Sequence, residues 1–312
     1  MSPTSIQPLE SYKLAQYSVP VHCPLCDEPN LHDAGRCRRC SAPMAIATAA
    51  TSRSQRPQLV VALGSPNCGK SVYLGAAIEM FTRGREELKF TAREANSITL
   101  QQRTMSALAR CEFPERTCED PSEWDWAHLE VRGKAFRREI ELFIPDMAGD
   151  AIVAEVNRPG THKLIQGAMD LATGVLLVVD STRIAEGDRD EEFFCMKMLS
   201  HLKVVQQRST MSRRRKLRNG KMAIPLAVLF TKTDYCEPCF MDPVEYARRH
   251  TGALWEECTE RFANHRFFAT SIAGACAGRP VKGGGLQMVP LRVEPRGVLE
   301  PIRWLIESAA KA

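Results

Sequence analysis

The chain has 312 residues, of which 44% are hydrophobic and 25% are charged, and its formal net charge is +5. This composition is ordinary for a globular protein and excludes wholesale disorder, and the charge is too small to indicate nucleic-acid binding by itself. The length allows one large α/β domain with a small appendage, or two domains.

No targeting or membrane segment is recognisable in the sequence. Residues 1–20 lack the basic start and the apolar run of a secretory signal. The longest apolar runs, 175–179 and 223–230, are far shorter than the roughly 18–20 residues that span a bilayer. We therefore expect no membrane span and a cytoplasmic location, where paired cysteines usually bind metal rather than form disulfides.

Two CxxC pairs lie near the N-terminus, Cys23 with Cys26 and Cys37 with Cys40. Each pair can sit on a tight turn with both thiolates facing one ion, and four thiolates complete the tetrahedral shell of a structural zinc. Free or redox-active thiols are the alternative. The segment resembles a zinc ribbon, so we expect a zinc module over residues 20–43. Such ribbons bind proteins or nucleic acids, which makes a protein partner an expectation.

A change of composition follows the cysteines. Residues 44–57 are small, polar and interrupted by proline, which is typical of a linker. From residue 58 onward, strand-like apolar runs alternate with helix-like segments. This alternation predicts an α/β domain over residues 58–312 with a doubly wound, mostly parallel sheet. The strand-like runs are 59–63, 139–144, 174–180, 223–231 and 266–270, and the helix-like segments are 72–82, 187–207 and 298–310.

The segment from Gly64 to Ser71 fits the pattern GxxxxGK[ST] in full, between a strand-like and a helix-like run. Such a loop turns its backbone N–H groups toward phosphate oxygens at a helix N-terminus. Lys70 is expected to reach the β- and γ-phosphates and to act in catalysis, and the hydroxyl of Ser71 to bind Mg²⁺. The expected phosphate-binding residues are Gly64, Asn67, Cys68, Gly69, Lys70 and Ser71.

A second motif, Asp146-Met-Ala-Gly149, closes the strand-like run 139–144. A carboxylate at the end of a neighbouring strand can support Mg²⁺, and a glycine three residues later lets a backbone N–H face a γ-phosphate. Asp146 and Gly149 are therefore candidate catalytic residues, with Asp146 also a candidate magnesium ligand.

Two further motifs follow, Thr231-Lys-Thr-Asp234 and Thr-Ser271-Ile272, again after strand-like runs. In this order the motifs resemble those of the Ras-like GTPase superfamily, whose [NT]KxD and TSA loops read guanine. The resemblance implies that Asp234 accepts hydrogen bonds from the guanine N1–H and amine, and that the stem of Lys232 packs over the base. It also places Thr231, Ser271 and Ile272 in the base-binding set.

This resemblance covers about residues 57–312 and implies GTP or GDP and Mg²⁺ as cofactors, GTP hydrolysis, and a nucleotide-dependent switch. The motif spacings are longer than in a minimal domain, from Ser71 to Asp146 and from Asp150 to Thr231, so we expect insertions in both gaps. A zinc ribbon before a divergent GTPase domain is also similar to the bacterial double-GTPase group, whose members are inferred to act in multi-component systems of conflict with invaders. Partners would bind through the ribbon or the switch loops. The alternatives are a P-loop ATPase that holds adenine by stacking, and a GTP-binding scaffold without useful turnover.

The sequence departs from the superfamily at the residue that orients the attacking water. Asp150 stands where many Ras-like enzymes have glutamine, so hydrolysis is expected to be slow or to depend on a partner. His162 could substitute, although an exposed loop histidine is the alternative. Five threonines are candidates for the Mg²⁺ ligand of the first switch: Thr82, Thr91, Thr99, Thr104 and Thr117. Three arginines are candidates for an arginine supplied in cis: Arg103, Arg110 and Arg116.

Three other features stay open. The basic run Arg213–Arg218 is either a solvated loop or a site for nucleic acid or another anionic surface. Cys236 and Cys239 supply only half a zinc shell, so a loop with two thiols is favoured unless Cys111, Cys118 or Cys258 joins them in the fold. Trp124 and Trp126 are expected to pack in the core.

Overall fold

A computed structural model describes residues 20–52, 57–84, 88–133, 139–208, 217–218, 220–280 and 286–311, with only the backbone described at 51–52 and 217–218. The strands are β1 (Val21–His22), β2 (Pro29–Asn30), β3 (Gln58–Gly64), β4 (Leu88–Ala92), β5 (Trp126–Gly133), β6 (Ile140–Pro145), β7 (Gly174–Asp180), β8 (Leu217–Arg218), β9 (Lys221–Met222), β10 (Leu226–Thr231), β11 (His265–Ala269), β12 (Ser271–Pro280) and β13 (Leu286–Arg296). The helices are α1 (Ala45–Ser52), α2 (Lys70–Arg83), α3 (Ala95–Ala109), α4 (Gly149–Asn157), α5 (Lys163–Leu171), α6 (Ser181–Ala185), α7 (Arg189–Arg208), α8 (Glu237–Met241), α9 (Pro243–His250), α10 (Gly252–Arg261) and α11 (Leu299–Lys311).

Seven strands form the central sheet in the spatial order β11-β10-β7-β3-β6-β5-β4. Neighbours from β11 to β6 are parallel, and β5 runs antiparallel to both β6 and β4. The mostly parallel sheet predicted from the alternation of strands and helices is thereby confirmed. The carboxyl ends of five parallel strands meet at one edge of the sheet, which is where ligands of such folds bind.

Helices cover both faces of the sheet, as the continuous apolar strands require. In β3, Val60 and Ala62 pack into a core shared with α2, α3 and α11. Val61 and Leu63 point the other way, into a core shared with α4, α5 and α7. The alternation of side chains along one strand thus places a helical layer on each side of the strand that leads into the Gly64–Ser71 loop.

The cysteine-bearing segment packs against the second of these layers rather than standing apart. Strands β1 and β2 form a short antiparallel hairpin, and Leu25 and Met44 belong to the same apolar core as the residues of α4 and α5. The carbonyl of Leu25 approaches α5 so closely that a Cβ atom at Gly167 would overlap it. Helix α1 occupies part of the segment 44–57, for which the sequence predicts a linker.

Several elements have no counterpart in the sequence prediction. Strand β4, strand β5 and helix α3 fill the long gap between Ser71 and Asp146, and they add the antiparallel edge of the sheet. Strands β12 and β13 form a long two-stranded ribbon that begins at Ser271, directly after β11. Insertions were expected in the first gap, but their structure was not.

Packing between α2 and α3 depends on a glycine. A Cβ atom at Gly75 would overlap the side chain of Thr104, which is fully buried. We expect Gly75→Ala to lower the free energy of unfolding by about 1–3 kcal/mol through overpacking, although alanine is intrinsically the better helix former by about 1 kcal/mol. Urea denaturation measures the change.

Gly252→Ala is the matched control, because a Cβ atom at the start of α10 meets nothing within 4 Å. It should leave stability unchanged or raise it. Combining Gly75→Ala with Thr104→Ala should recover part of the loss. A Gly75→Ala protein as stable as wild type would show that α2 and α3 are not tightly apposed.

Candidate functional site

The four cysteines expected to bind metal form one cluster. Their Sγ atoms all lie within 4.8 Å of one another, with 3.6 Å between Cys23 and Cys40 and 3.5 Å between Cys26 and Cys37. A tetrahedral zinc with Zn–S bonds of about 2.3 Å separates its sulfurs by about 3.8 Å, so the set fits the ion. The hydrogen bond from Cys40 lowers the pKa of Cys23 to about 5, whereas burial raises that of Cys26 to about 11.

Both CxxC segments have the same local geometry. Directly after each pair stands a residue in the left-handed region, Asp27 with φ 60° and Ser41 with φ 62°. The amide of Asp27 donates to the carbonyl of Cys23 at 2.8 Å, and that of Ser41 to the carbonyl of Cys37 at 2.9 Å. Two equivalent turns therefore present their sulfurs to one point.

The Gly64–Ser71 loop joins β3 to α2 at the carboxyl edge of the sheet. Gly69 has φ 93°, a conformation that favours glycine, and a Cβ atom at Gly64 would lie 2.6 Å from the carbonyl oxygen of Val178. The ammonium of Lys70 lies inside the loop and donates to the carbonyls of Gly64 and Ser65 at 3.0 Å each. The loop is a cradle for an anion with a cation held at its centre.

Oxygens of three side chains meet beside this loop. The hydroxyl of Ser71 donates to Oδ1 of Asp146 at 2.9 Å. The hydroxyl of Thr117 lies 2.9 Å from Ser71 Oγ and 3.2 Å from Oδ2 of Asp146. Asp146 is fully buried, and burial raises its pKa against the opposing effects of Ser71, Lys70 and Arg103. Hard oxygen ligands of this kind suit Mg²⁺.

Gly149 and Asp150 begin helix α4 directly beneath the loop. A Cβ atom at Gly149 would lie 2.6 Å from the backbone of Pro66, so the motif glycine allows close contact with the phosphate loop. Asp150 is partly exposed and lines the cleft. His162 instead lies at the N-terminus of α5, with its ring 6.5 Å from that of Trp124. It is not among the described residues that line the cleft.

The other end of the cleft is built from the loop after β10. The hydroxyl of Thr231 donates to the carbonyl of Cys68 at 2.6 Å and so ties this strand to the phosphate loop. Lys232 has φ 58°, and its ammonium lies 2.5 Å from Oδ2 of Asp180 at the end of β7. The backbone turn thereby lays the lysine stem along the cleft.

Asp234 is the polar group that faces this end of the cleft. Its Oδ1 accepts a hydrogen bond from Ser271 Oγ at 3.0 Å. Partial burial raises its pKa, opposed by hydrogen bonds that include the one from Ser271. Ile272 is buried beside it and supplies an apolar wall. A half-buried carboxylate can accept hydrogen bonds from a ligand that offers two N–H donors.

A buried ionic network supports the loop from below. Glu191 of α7 is fully buried; its Oε1 accepts from Ser65 Oγ at 3.0 Å and from the amide of Asp180 at 3.1 Å. Its Oε2 lies 2.5 Å from the guanidinium of Arg183, which also pairs with Asp188. The pKa of Glu191 is raised by burial. One carboxylate thus joins the phosphate loop to the end of β7, where Asp180 pairs with Lys232.

These parts line a single cleft with a volume of about 1070 Å³. Its walls come from the phosphate loop, from segment 113–117, from α4, from the loops after β10 and β11, and from the β12–β13 ribbon. The cleft combines an anion cradle that holds a cation, a cluster of oxygens suited to a divalent metal, and an end that carries the carboxylate of Asp234 beside the apolar side chain of Ile272. It can bind a nucleotide together with a metal ion.

The sequence-predicted residues are brought together here with few exceptions. Among the three arginines considered, Arg116 lines the cleft and Arg110 pairs with Glu112. Arg103 pairs with Asp125 at 2.8 Å and lies 3.8 Å from Oδ2 of Asp146. The expected nucleotide-binding residues that line the cleft are Asn67, Gly69, Lys70, Ser71, Gly149, Thr231, Lys232, Asp234 and Ile272. Gly64, Cys68, Asp146 and Ser271 contact these residues from behind.

Two features remain outside the site. Cys236 and Cys239 are buried, and within the described residues no metal-type cluster other than the four N-terminal cysteines is found. Burial raises the pKa of Cys239, which keeps that thiol protonated. Of the basic run, residues 213–216 lie outside the described residues, and Leu217–Arg218 pairs with β9.

Sequence reasoning missed three residues of the site or left them undecided. Thr117 was one of five threonines with no distinguishing motif. Asp180 had a usable signal, because it ends a strand in the same way as Asp146 does. Glu191 had none, since an acidic residue in the first turn of a helix ordinarily faces solvent and here it is buried.

The family model described as Double-GTPase 1 matches residues 61–237, and no curated protein matches. Among solved structures, the chain is similar to nucleolar GTP-binding protein 1 of Plasmodium falciparum, with 14% identity, 83% of this chain and 90% of that chain covered, and a TM-score of 0.41.

Two further structures are similar. One is GDP-bound Roco2 RocCORdC of Methanosarcina barkeri, with 14% identity, 70% of this chain and 44% of that chain covered, and a TM-score of 0.33. The other is the signal recognition particle receptor SRb-GTP/SRX complex of Chaetomium thermophilum, with 11% identity, 72% and 94% covered, and a TM-score of 0.38. Among the described helices, none has both the length and the apolar character that crossing a membrane requires.

The buried network predicts a coupled effect of one charge. Glu191→Gln keeps an oxygen for Ser65 but removes the charge that pairs with Arg183. We expect the free energy of unfolding to fall by about 1–3 kcal/mol and nucleotide affinity to fall with it, because the phosphate loop loses its support. Chemical denaturation and nucleotide titration measure the two effects.

Asp190→Asn provides the matched control, because Asp190 precedes Glu191 in the same helix and is exposed. Asp190→Asn should lower the free energy of unfolding by no more than roughly 0.3–1 kcal/mol, the contribution of a charge at a helix terminus. Equal behaviour of the two variants would mean that Glu191 does not support the loop.

Proposed function

The chain belongs to the double-GTPase 1 family, and from this premise we propose that it binds GTP with Mg²⁺, hydrolyses GTP to GDP, and acts as a nucleotide-dependent switch in a bacterial multi-component system. The observation that carries the proposal is one cleft with two chemically distinct ends. At one end Ser71, Thr117 and Asp146 converge beside the phosphate loop. At the other, Asp234 and Ser271 face a base-sized slot.

The phosphate end uses the loop backbone and one ammonium. Lys70 forms hydrogen bonds with two loop carbonyls, and we propose that a triphosphate takes over the ammonium for its β- and γ-oxygens. Gly64, Asn67, Cys68 and Gly69 shape the loop so that amides face the phosphates. Mg²⁺, when bound, neutralises charge on the β- and γ-phosphate oxygens.

Ser71 and Asp146 are the metal residues expected from sequence, and Thr117 joins them as the threonine of the first switch. Thr117 lies within hydrogen-bond distance of both partners. Each hydroxyl offers a neutral oxygen, and Asp146 offers a charged oxygen shielded from water. The oxygen cluster therefore supports a role for Thr117 that the sequence could not assign.

Guanine selectivity rests on Asp234. A carboxylate beside Ser271 can accept two hydrogen bonds from the N1–H and amine of guanine, whereas adenine lacks that pair of donors and leaves the charge unpaired. Lys232, fixed by Asp180, packs its stem over the base. Thr231 and the backbone at Ser271 and Ile272 complete this part of the site.

Hydrolysis is expected to be slow in the isolated protein. Asp150 occupies the water-orienting position and cannot donate a hydrogen bond to the attacking water as an amide does. Gly149 supplies the backbone N–H that faces the γ-phosphate. Arg116 lies at the cleft and is the cis arginine best placed to neutralise charge. Partner-stimulated turnover is the expected behaviour.

The four cysteines would hold a structural zinc ion in a module over residues 20–43, followed by the segment 44–57 and the GTPase domain over 58–312. The sulfur geometry supports this assignment. We further propose a cytoplasmic location and a protein partner at the ribbon or the switch segments. Binding of nucleic acid or an anionic surface through Arg213–Arg218 remains a proposal from sequence alone.

The GTPase proposal has two competitors. An ATPase would hold adenine by stacking, with Asp234 merely ending a turn. A scaffold would hold GTP without turnover, and Asp150 is the observation that favours it. Single-turnover measurement with radiolabelled GTP separates the scaffold, which retains intact GTP, from a slow enzyme.

Asp234→Asn tests the base assignment. By calorimetry with Mg²⁺ present, wild type should bind GTP at least about tenfold more tightly than ATP, which corresponds to about 1.4 kcal/mol. The variant should lose this margin because an amide offers a donor where guanine also donates.

Asp242→Asn is the control, since Asp242 caps α9 away from the cleft through the amide of Glu245. It should keep the preference for GTP. If ATP binds wild type as tightly as GTP and Asp234→Asn changes nothing, the protein is an ATPase.

Metal content tests the cysteine cluster. Purified protein should contain about one zinc ion per chain, because four thiolates complete one tetrahedral shell. Cys40→Ser should lose most of this zinc and lower the melting temperature, since metal binding contributes to folding. Cys111→Ser, at an exposed cysteine outside the cluster, should keep the zinc. Zinc-free wild type of unchanged stability would contradict the assignment.

A further inference from the structure

Trp124 lies between the cysteine cluster and the oxygen cluster and forms hydrogen bonds in both directions. Its indole Nε1 donates to the carbonyl of Cys118 at 2.7 Å, and Cys118 directly follows Thr117 in the chain. Its own carbonyl accepts from the guanidinium of Arg36 at 3.3 Å. Trp124 is fully buried, so water does not readily replace the partner of its indole N–H or of its carbonyl.

Arg36 belongs to the cysteine module, next to Cys37. Its second Nη atom donates to the carbonyl of Ser41 at 3.2 Å, within the turn of the second CxxC pair. The backbone of Arg36 also forms a β-bridge with Pro43. The guanidinium is therefore held by the same turn that positions two of the sulfurs, and its other end reaches Trp124.

The segment that carries Thr117 has little regular structure of its own. Residues 113–119 are all described, and they form neither helix nor strand. Thr117 is half-buried, and its described side-chain hydrogen bonds go to Ser71 and Asp146. The buried indole of Trp124 therefore binds the backbone of Cys118, the residue directly after Thr117.

The cysteine module cannot move away from Trp124 without losing apolar contact. Leu25 and Met44 share one core with Trp124, Leu164 and Ile165. Close approach of the Leu25 carbonyl to Gly167 fixes the module against α5 as well. The position of Arg36 relative to Trp124 is consequently set by packing on two sides.

We propose that Arg36 and Trp124 are positioning residues through which the cysteine module holds Thr117 at the oxygen cluster, so that metal loading of the module sets the Mg²⁺ dependence of GTP binding. The inference rests on the proposed function, in which Thr117 helps hold Mg²⁺. Neither residue touches the nucleotide. Both act on the threonine through the backbone of Cys118 and the fixed indole.

Trp124→Phe and Trp126→Phe form a matched pair. Both tryptophans are fully buried, but Trp126 Nε1 has no hydrogen-bond partner among the described residues. The measurement is the Mg²⁺ concentration that gives half-maximal binding of GTP. Trp124→Phe should raise it about fivefold, the factor expected for one lost hydrogen bond, and Trp126→Phe should leave it within about twofold of wild type.

Arg36→Ala provides a second variant that leaves the core intact, with Arg38→Ala as its control. Arg38 is mostly exposed and pairs with Glu28 inside the module. Arg36→Ala should raise the Mg²⁺ requirement in the same direction, and Arg38→Ala should not. Removing the module's metal from wild type with a chelator, before excess Mg²⁺ is added back, should also raise the Mg²⁺ requirement. The same treatment of Arg36→Ala should raise its Mg²⁺ requirement little further.

Thr117→Ala separates positioning from a general loss of structure. It should raise the Mg²⁺ requirement by itself, and Trp124→Phe should then have no further effect in the Thr117→Ala background. Additive effects of the two substitutions on the Mg²⁺ requirement would overturn the inference, as would equal behaviour of Trp124→Phe and Trp126→Phe. Wild type that binds GTP equally well with and without Mg²⁺ would overturn the proposed function and the inference together.

Discussion

The arrangement of the cleft depends on one fully buried carboxylate. Asp146 is shielded from water at the end of β6, where an isolated charge would be costly, so its oxygens need hydroxyl donors or cations. Ser71 from α2 and Thr117 from an irregular segment supply them, and the backbone amide of Asp146 donates to the backbone carbonyl of Asp125. Three separate parts of the chain are thereby drawn to the point where a divalent metal would balance the charge.

The two ends of the cleft are joined through side chains at its base. Thr231 bonds to Cys68 of the phosphate loop, and Lys232 pairs with Asp180, whose amide donates to Glu191. Since Glu191 also accepts from Ser65, one chain of hydrogen bonds and an ion pair connects the phosphate loop to Lys232 at the other end of the cleft.

The sequence predicted the parts whose local pattern is self-contained. The Gly64–Ser71 loop, the strands ending at Asp180 and Thr231, and the paired cysteines all have short-range signals, and each of these elements appears at nearly the expected bounds. Thr117, Glu191 and β5 have no such signal, because their roles arise from residues distant in sequence. A threonine in an irregular segment looks like any other until folding brings it to Asp146.

The position of the cysteine module follows from its size. A segment as short as residues 20–43 cannot enclose a core of its own, so its apolar side chains must be covered by something else. Leu25, and Met44 directly after the module, pack against the face formed by α4 and α5, the two helices that follow Asp146. A module that shares its core with this face cannot separate from it without exposing both surfaces. Any partner that binds the module therefore acts on a surface already joined to the nucleotide cleft.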